Sequence, residues 1–203
     1  MNELVKRWCA GWTKADGLVG HEGPGWLEIR VDRPGRRIER VVTDESTVTG
    51  LTALTGQDDW LTVPTRSPEA VTKALQGAGL TVRAPETFMR RTLADHPAPQ
   101  PPDGYSVVVT RENVIEVRLL HNGAPAASGL MAVVGEDAVP HRIQTSPEHR
   151  RRGLGSVVMG VLAQEAVADG TTTGLLFASD DGLHLYRRLG WEEVADVVIA
   201  RRD

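Results

Sequence analysis

One stretch of the chain sets three arginines beside two glycines: Arg150-Arg151-Arg152-Gly153-Leu154-Gly155-Ser156. The strand-like run from Val139 to Thr145 precedes it, and the apolar spacing from Leu154 to Leu162 is typical of a helix. The stretch is therefore predicted to form a loop at a helix N-terminus. Unpaired backbone N–H groups and the positive end of the helix dipole favour an anion at such a place.

The composition of this loop favours a diphosphate as the anion. Gly153 and Gly155 have no Cβ, so a phosphate can approach the backbone closely, and Arg150 and Arg152 can supply positive charge. The loop lacks the Gly-Lys-Ser/Thr ending of a nucleoside triphosphate loop and a third glycine at dinucleotide-fold spacing, which argues against ATP and NAD. Taken alone, the stretch also fits a solvated basic turn that caps a helix.

Size and composition indicate a globular protein of roughly one or two domains. The chain has 203 residues, of which 40% are hydrophobic and 25% are charged, and these values are ordinary for a folded chain. We expect a cytoplasmic protein, because we find neither a membrane-spanning run nor a signal-peptide pattern. Cys9 is the single cysteine, which excludes an internal disulfide, and the six scattered histidines predict no metal site.

Four prolines within residues 97–102 mark the predicted domain boundary. Residues 96–103 are expected to form a semi-rigid linker, because proline is disfavoured in helix interiors and central strands. The lobe over residues 1–95 is predicted to contain a helix, two strands, a helix, a strand, a helix and a strand. The lobe over residues 104–203 is predicted to contain three antiparallel strands, a fourth strand, the glycine loop, a helix, a buried strand, a helix and a last strand.

Two motifs of the C-terminal lobe occur together: Ile143-Gln144-Thr145-Ser146-Pro147-Glu148-His149-Arg150-Arg151-Arg152-Gly153-Leu154-Gly155-Ser156 and Leu185-Tyr186-Arg187-Arg188-Leu189-Gly190-Trp191. Together they resemble the GNAT superfamily of acyl-CoA-dependent N-acyltransferases, over residues 104–203. The resemblance implies an α/β fold with a mixed, mostly antiparallel sheet flanked by helices. We interpret the N-terminal lobe as a degenerate GNAT-like repeat without an arginine-glycine loop. A lobe that only completes the C-terminal sheet is the alternative.

The resemblance also implies acetyl-CoA as the co-substrate and a set of residues that would bind it. The pyrophosphate would be held by the loop residues Arg150, Arg151, Arg152, Gly153, Leu154, Gly155 and Ser156. Ile143, Gln144 and Thr145 would line a splayed strand whose backbone contacts the pantetheine arm and the thioester carbonyl. Ser179, at the end of the next strand, would lie near the pantetheine.

Acyl transfer from a thioester to an amine needs a base, a stabilised oxyanion and an acid for the leaving thiolate. By resemblance, Tyr186 is the candidate acid; its alternative role is that of a packing tyrosine. A backbone N–H near Gln144 or Thr145 would polarise the carbonyl. His141 is the candidate base, acting through a water, because an ordinary histidine titrates near neutral pH. Other possibilities for the base are His184, Asp180, or an acceptor amine that is already neutral.

The sequence therefore predicts an N-acetyltransferase that moves an acetyl group from acetyl-CoA to a primary amine of a small molecule or protein by direct attack. A noncatalytic acyl-CoA-binding regulatory module is the alternative. The net charge of −4 argues against nucleic acid as a partner. We expect no metal and no membrane partner, and either a monomer or a homodimer.

Overall fold

The computed structural model describes residues 1–203. The chain divides into two compact units, and each contains more than one segment of the sequence. The first unit comprises residues 1–89, 177–183 and 193–203; the second comprises residues 90–176 and 184–192. Five α-helices and twelve mostly antiparallel strands form a mixed α/β fold, which confirms the predicted fold class. The division into lobes over residues 1–95 and 104–203 stays a prediction.

The helices and strands have the following bounds. The first unit contains α1 (Asn2–Asp16), β1 (Val19–Gly23), β2 (Trp26–Arg33), β3 (Arg36–Val42), α2 (Val48–Leu54), β4 (Asp59–Thr65), α3 (Pro68–Gly77) and β5 (Thr81–Val82). The second unit contains β7 (Tyr105–Arg111), β8 (Ile115–His121), β9 (Ala124–Val134), β10 (Asp137–Thr145) and α4 (Leu154–Ala168). Four elements contribute residues to both units: β6 (Glu86–Thr92), β11 (Thr173–Ser179), α5 (Asp180–Arg188) and β12 (Glu192–Arg201).

In the first unit the strands lie in the order β1-β2-β3-β4-β12-β6, and β5 pairs with β12. β2 and β3 form an antiparallel hairpin, whereas β3 and β4 are parallel. Apolar side chains from α2 and α3 pack against these strands and exclude water from one continuous core. The buried members of this core are Val42, Val48, Leu51, Leu61, Val63, Val71, Leu75, Leu80, Val198 and Ala200.

Helix α1 buries one face, on which Val5, Trp8, Cys9 and Trp12 repeat at helical spacing. The helix ends at Gly17, whose φ of 65° is in the left-handed region that glycine adopts without a steric penalty. Burial, and then the nearby Glu39 carboxylate, raises the pKa of the Cys9 thiol well above its usual value. Cys9 is therefore a protonated core residue at neutral pH.

In the second unit the strands lie in the order β6-β11-β10-β9-β8-β7. The strands β7 to β9 form the predicted antiparallel meander, and β10 pairs antiparallel with β9. Helix α4 packs across β8, β9 and β10. Gly129 of β9 lies directly under this helix. A Cβ at Gly129 would be 2.4 Å from Ile143 Cδ1 and 2.8 Å from Val158 Cγ1, so only glycine permits the observed packing.

The start of the predicted linker is fixed to the second unit. The His96 side chain is 9% exposed, and Trp191 Nε1 donates to its Nε2 at 3.3 Å. Burial lowers the pKa of His96, consistent with a neutral imidazole whose Nδ1 donates to the Pro97 carbonyl at 2.9 Å. A Cβ at Gly160 of α4 would be 2.6 Å from Ala98 Cα. Residues 96–98 are therefore packed against the unit.

Two short strands, β1 and β5, are absent from the pattern that the sequence predicts. β1 contains Gly20, His21 and Glu22 and pairs with β2 over its whole length. β5 has two residues, which pair with Ala200 and Arg201 of β12. Neither strand has the apolar alternation that indicates a half-buried strand. Each is a strand only because its backbone pairs with a neighbouring strand, and that pairing leaves no pattern in the sequence. No helix of the chain combines the length and the apolar character that spanning a membrane requires.

Candidate functional site

The strand before the arginine-glycine loop is irregular. β10 is parallel to β11 and pairs with it at Asp137–Thr173 and Ala138–Gly174, at the beginning of both strands. On its other side β10 pairs with β9, and the register shifts between His141 and Gln144. Arg142, inside this bulge, has a φ of 52°, which is uncommon for a residue with a side chain. The bulge changes which residues of β10 face α4.

The predicted strand residues project to opposite sides of the sheet. Ile143 points towards α4, where it packs against Gly129. His141 pairs with Leu130 and Gln144 pairs with Ser128, so both lie on the face opposite α4. Gln144 Nε2 donates to Ser128 Oγ at 3.1 Å. Any contact from Ile143 to a cofactor on that opposite face would therefore come from its backbone.

A groove of about 350 Å³ lies where β9 begins and β10 ends. Gln144 and Thr145, the predicted contacts of the thioester carbonyl, lie in its wall, and Arg150 is the charged residue of the lining. The remaining lining residues are small or neutral: Pro125, Ala127, Ser128, Ser146 and Pro147. The structure thus brings three predicted site residues together around one concave surface.

The loop itself has two residues in the left-handed region. Arg151 has a φ of 60° and Gly153 a φ of 80°, and α4 begins directly after Gly153. The Gly153 carbonyl accepts from the Ser156 and Val157 amides at 3.0 and 3.2 Å. The amides at the very start of a helix have no acceptor within it. A Cβ at Gly153 would meet nothing within 4 Å, so open space adjoins the backbone here.

The arginines of the loop have different partners. Arg150 is exposed, and its Nε donates to the Thr145 carbonyl at 3.4 Å. Arg152 points to the start of β7, where its Nη1 donates to the Tyr105 hydroxyl at 3.1 Å, and its Nη2 donates to the Glu148 carbonyl at 3.2 Å. In this geometry Arg152 holds the loop, and its predicted contact with the diphosphate stays a prediction.

Tyr105 anchors a small aromatic cluster beside the loop. Its hydroxyl is 2.8 Å from His149 Nδ1, and its ring centroid is 4.9 Å from that of His121. His149 belongs to the short 3-10 turn Pro147–His149 that follows β10. Sequence reasoning missed Tyr105 because it precedes His149 by 44 residues and carries no motif of its own.

The first turn of α4 packs against α5 within the second unit. Leu154 is buried, and a Cβ at Gly155 would be 3.1 Å from Leu185 Cδ2. Arg188 Nη2 donates to Ser156 Oγ at 3.1 Å. Leu154 and Ser156 therefore fix the helix start through their side chains, which leaves the backbone as the part of these residues that can meet a ligand.

The remaining candidates lie on α5 and at its start. Tyr186 is 8% exposed, and its ring packs edge to face against Trp191 with the ring centroids 6.0 Å apart. The ring that carries the candidate acid is therefore well packed. His184 is exposed in the second unit. Ser179, the exposed last residue of β11, and Asp180, the first residue of α5, belong to the first unit.

A larger cavity of about 420 Å³ in the second unit contains none of the predicted site residues. Its two arginines already have acidic partners: Arg91 Nη2 is 3.4 Å from Asp95 Oδ1, and Arg90 Nη2 is 3.5 Å from Glu192 Oε2. Volume alone therefore does not identify the functional site. No group of three or more His, Cys, Asp or Glu side chains is arranged to hold a metal ion.

Comparison with known proteins agrees with the resemblance seen in the two motifs. Residues 139–199 match the family model described as FR47-like protein. No curated protein matches the chain. Among solved structures, a GCN5-related N-acetyltransferase from Kribbella flavida is similar at a TM-score of 0.71 and 17% sequence identity, over 98% of this chain and 94% of that one.

Two further solved structures have the same fold. A GCN5-related N-acetyltransferase-like protein from Streptococcus suis has a TM-score of 0.63 and 13% identity, with 100% of both chains covered. A tandem GNAT protein from the clavulanic acid biosynthesis pathway has a TM-score of 0.59 and 13% identity, over 86% of this chain and 77% of that one. The chain therefore has the GNAT fold, and the resemblance to that superfamily is confirmed.

Proposed function

We propose that the chain is an N-acetyltransferase that transfers the acetyl group of acetyl-CoA to a primary amine of a small molecule or a protein. The observation that carries the proposal is the loop geometry: left-handed Gly153, with open space beside it, directly precedes α4, and the exposed Arg150 lies nearby in the sequence. Helix-start amides and a guanidinium together suit a diphosphate. We propose that residues Arg150 to Ser156 hold the pyrophosphate chiefly through their backbone.

In the proposed reaction the amine nitrogen attacks the thioester carbonyl carbon, and a tetrahedral oxyanion forms. A backbone N–H near Gln144 or Thr145 stabilises that oxyanion. In support, β10 pairs with β11 at Asp137 and Ala138, well before these residues, and its pairing with β9 is irregular between His141 and Gln144. The C–S bond then breaks, and the thiolate takes a proton from the Tyr186 hydroxyl. His141, half-buried on the face opposite α4, stays a candidate base.

The test combines acetyl-CoA binding with release of free thiol in the presence of a broad panel of amines. We expect binding, and thiol release that depends on one class of amine. Tyr186→Phe should slow acyl transfer about 100-fold while leaving acetyl-CoA affinity unchanged, since a general acid typically contributes that much. An unchanged rate would show that Tyr186 only packs against Trp191.

The close packing of Tyr186 favours a second candidate, a noncatalytic acyl-CoA-binding module. Binding of acetyl-CoA without thiol release from any amine supports that candidate. Absence of acetyl-CoA binding contradicts both candidates. The cytoplasmic location and a monomeric or homodimeric state stay predictions.

A further inference from the structure

We propose that the chain forms a homodimer in which β7 of one copy pairs antiparallel with β7 of a second copy. All of the residues that would pair belong to the second unit. In that unit β7 is the last strand of the order, and it pairs only with β8. One edge of β7 therefore has no neighbouring strand. The inference does not depend on the proposed acetyltransferase function.

A hydrogen bond at the end of the β7–β8 hairpin shows which residues of β7 face the open edge. The Glu112 amide donates to the Val114 carbonyl at 3.2 Å, immediately after the last residue pair of the two strands. An antiparallel ladder uses the amide and the carbonyl of every second residue, so the even-numbered residues of β7 bond to β8. Val107, Val109 and Arg111 direct their amides and carbonyls away from β8, towards the open edge.

Nothing in β7 blocks the addition of a strand. Proteins usually protect an edge strand with lysine, proline, a bulge or an exposed charge. β7 contains no Lys, Pro or Gly, and its seven residues pair with β8 without a register shift. Its one charged residue, Arg111, already bonds to α4, with Glu165 Oε2 at 3.1 Å from its Nε and Asp169 Oδ1 at 3.0 Å from its Nη1.

The strand at the end of the first unit, β1, differs from β7 in this respect. β1 has five residues, of which two are glycines, and its Glu22 carboxylate bonds to Lys6 of α1. Glycine weakens a strand because it has no side chain to pack and loses more entropy on ordering. β1 is therefore a poor template for strand addition, whereas β7 is longer and rich in β-branched residues, which favour strands.

One register pairs the open edge with itself over its full length. In an antiparallel pair centred on Val108, Val107 of one copy lies opposite Val109 of the other. Both of these residues direct amide and carbonyl groups to the partner, so they form hydrogen-bonded pairs of the new ladder. With the Arg111 amide at each end, the ladder has about six hydrogen bonds between the copies.

The side chains that meet in this register are compatible on both faces of the sheet. On the face to which Arg111 projects, valine meets valine, and Val109 is 36% exposed, so pairing removes apolar surface from water. On the other face Ser106 lies opposite Thr110, a pair that can share a hydrogen bond. Arg111 lies opposite Tyr105, so no like charges meet. A strand that complements its own reversed sequence favours a second copy of this chain as the occupant.

This arrangement predicts a closed dimer. Antiparallel pairing of the same edge relates the two copies by a two-fold axis that passes through Val108. Once the copies have paired, neither has a free β7 edge, so assembly stops at two chains.

The first experiment is sedimentation equilibrium of the full chain from about 1 μM to about 100 μM, a range of ordinary dimer affinities. We expect wild type to reach the mass of two 22.0 kDa chains. Val109→Pro removes an amide that faces the open edge and leaves the bonds to β8 intact, a position that tolerates proline. It should weaken the dimer about 30-fold or more, because each lost hydrogen bond is repeated by symmetry. The matched control Val109→Thr keeps the amide and should remain dimeric.

A second variant covers the case in which the proline variant does not fold. Val109→Lys keeps the backbone amide and places a charge at the exposed edge, as many natural edge strands do. It should give a folded monomer with a Tm close to that of the wild-type monomer at low concentration. A folded Val109→Lys protein that dimerises as tightly as wild type contradicts the β7 interface.

The register is tested by a disulfide across the two-fold axis. Val108 lies opposite its own counterpart at a position that is not hydrogen-bonded, where Cα atoms are about 4.5 Å apart, within the range of a disulfide. Val108→Cys should therefore form a covalent dimer on mild oxidation. The matched control is Ser106→Cys on the same face, whose counterpart lies four residues further along, about 13 Å away; it should stay uncrosslinked. Cys9 is buried and should not react.

Three results would overturn the proposal. Wild-type protein that stays monomeric over the whole range has no such dimer, and its β7 edge would then be open to an extended segment of another protein. A dimer that neither Val109 variant weakens uses a different surface. Equal crosslinking of Val108→Cys and Ser106→Cys contradicts the register and the two-fold axis at Val108.

Discussion

The loop before α2 in the first unit and the loop before α4 in the second are built on the same local plan. Each follows a strand that is parallel to a neighbour, and each contains a short 3-10 turn, Glu45–Thr47 in one and Pro147–His149 in the other. Their charges are opposite. The first loop carries Asp44 and Glu45, and the second carries Arg150 to Arg152.

In the first loop the carboxylates occupy the hydrogen-bond donors. Asp44 Oδ1 accepts from the Ser46 amide at 3.0 Å and from Ser46 Oγ at 2.7 Å, and Glu45 Oε2 accepts from Thr65 Oγ1 at 2.7 Å. An external anion would meet negative charge at this turn. In the second loop, left-handed Gly153 exposes the helix start next to cations.

The strands that precede the two loops also differ in how many of their residues pair with the parallel neighbouring strand. β3 and β4 pair over four residues, from Ile38 to Val41, whereas β10 pairs with β11 at Asp137 and Ala138 and then bulges at Arg142. Backbone groups already used in a ladder are not available to a ligand. We call residues 43–47 the closed loop and residues 146–153 the open loop. Under the proposed function, the open loop is the one that binds acetyl-CoA.

The largest expected effect comes from blocking the open loop. Gly153→Trp places a bulky side chain at a left-handed position beside the helix-start amides, so we expect acetyl-CoA affinity to fall by about 100-fold or more, as expected for loss of several charge-assisted hydrogen bonds. Calorimetric titration measures the Kd. The matched control is Gly50→Trp in α2, where a Cβ meets nothing within 4 Å; affinity there should not change. Equal losses in both variants would contradict the comparison.

A smaller effect is expected from removing a side-chain hydroxyl that holds the open loop in place. Tyr105→Phe removes the hydroxyl that joins His149 and Arg152, and each lost hydrogen bond is worth about 1 kcal/mol. Acetyl-CoA affinity should therefore fall about 3- to 10-fold, measured by the same titration. Thr47→Val is the counterpart in the closed loop, because it removes a hydroxyl that donates to the Asp44 carbonyl at 2.7 Å. If it weakens binding as much, the tie to Tyr105 has no special role.

The smallest effect is expected in the closed loop itself. The hydrogen bonds from the Ser46 side chain and amide lower the pKa of Asp44 from its usual 3.8, so the ionised carboxylate stabilises the folded state above that pH. This stabilisation disappears as the pH falls through the folded-state pKa. Asp44→Asn should slightly lower the Tm at neutral pH, match wild type in strong acid, and leave acetyl-CoA affinity unchanged. A gain in affinity would show that charge alone closes this loop.

Local patterns in the sequence were sufficient for most of the fold. The alternation over Arg36–Val42 predicts β3 with the observed bounds, and Ser67-Pro68 marks the observed start of α3. The motif around Gly153 predicts both the loop and the helix that follows. These elements could be found because their signals come from neighbouring residues in the chain.

Other features depend on partners that are distant in the sequence. β1 is defined by pairing with β2, and the bulge at Arg142 is defined by its register with β9. The bond between Arg152 and Tyr105 spans 47 residues. Contacts of this kind have no local signature, so the sequence alone predicts neither the strand register nor the bond between Arg152 and Tyr105.

The position of β12 affects the order in which the chain can fold during synthesis. Strand β4 is made early, yet six of its residues pair with Asp196 to Arg201 of β12. Residues 90–192 are therefore synthesised before β12, and the first unit cannot complete its sheet until β12 has emerged from the ribosome. Until then the β4 edge is unpaired and open to unwanted strand addition. The N-terminal residues thus belong to the unit that is completed last.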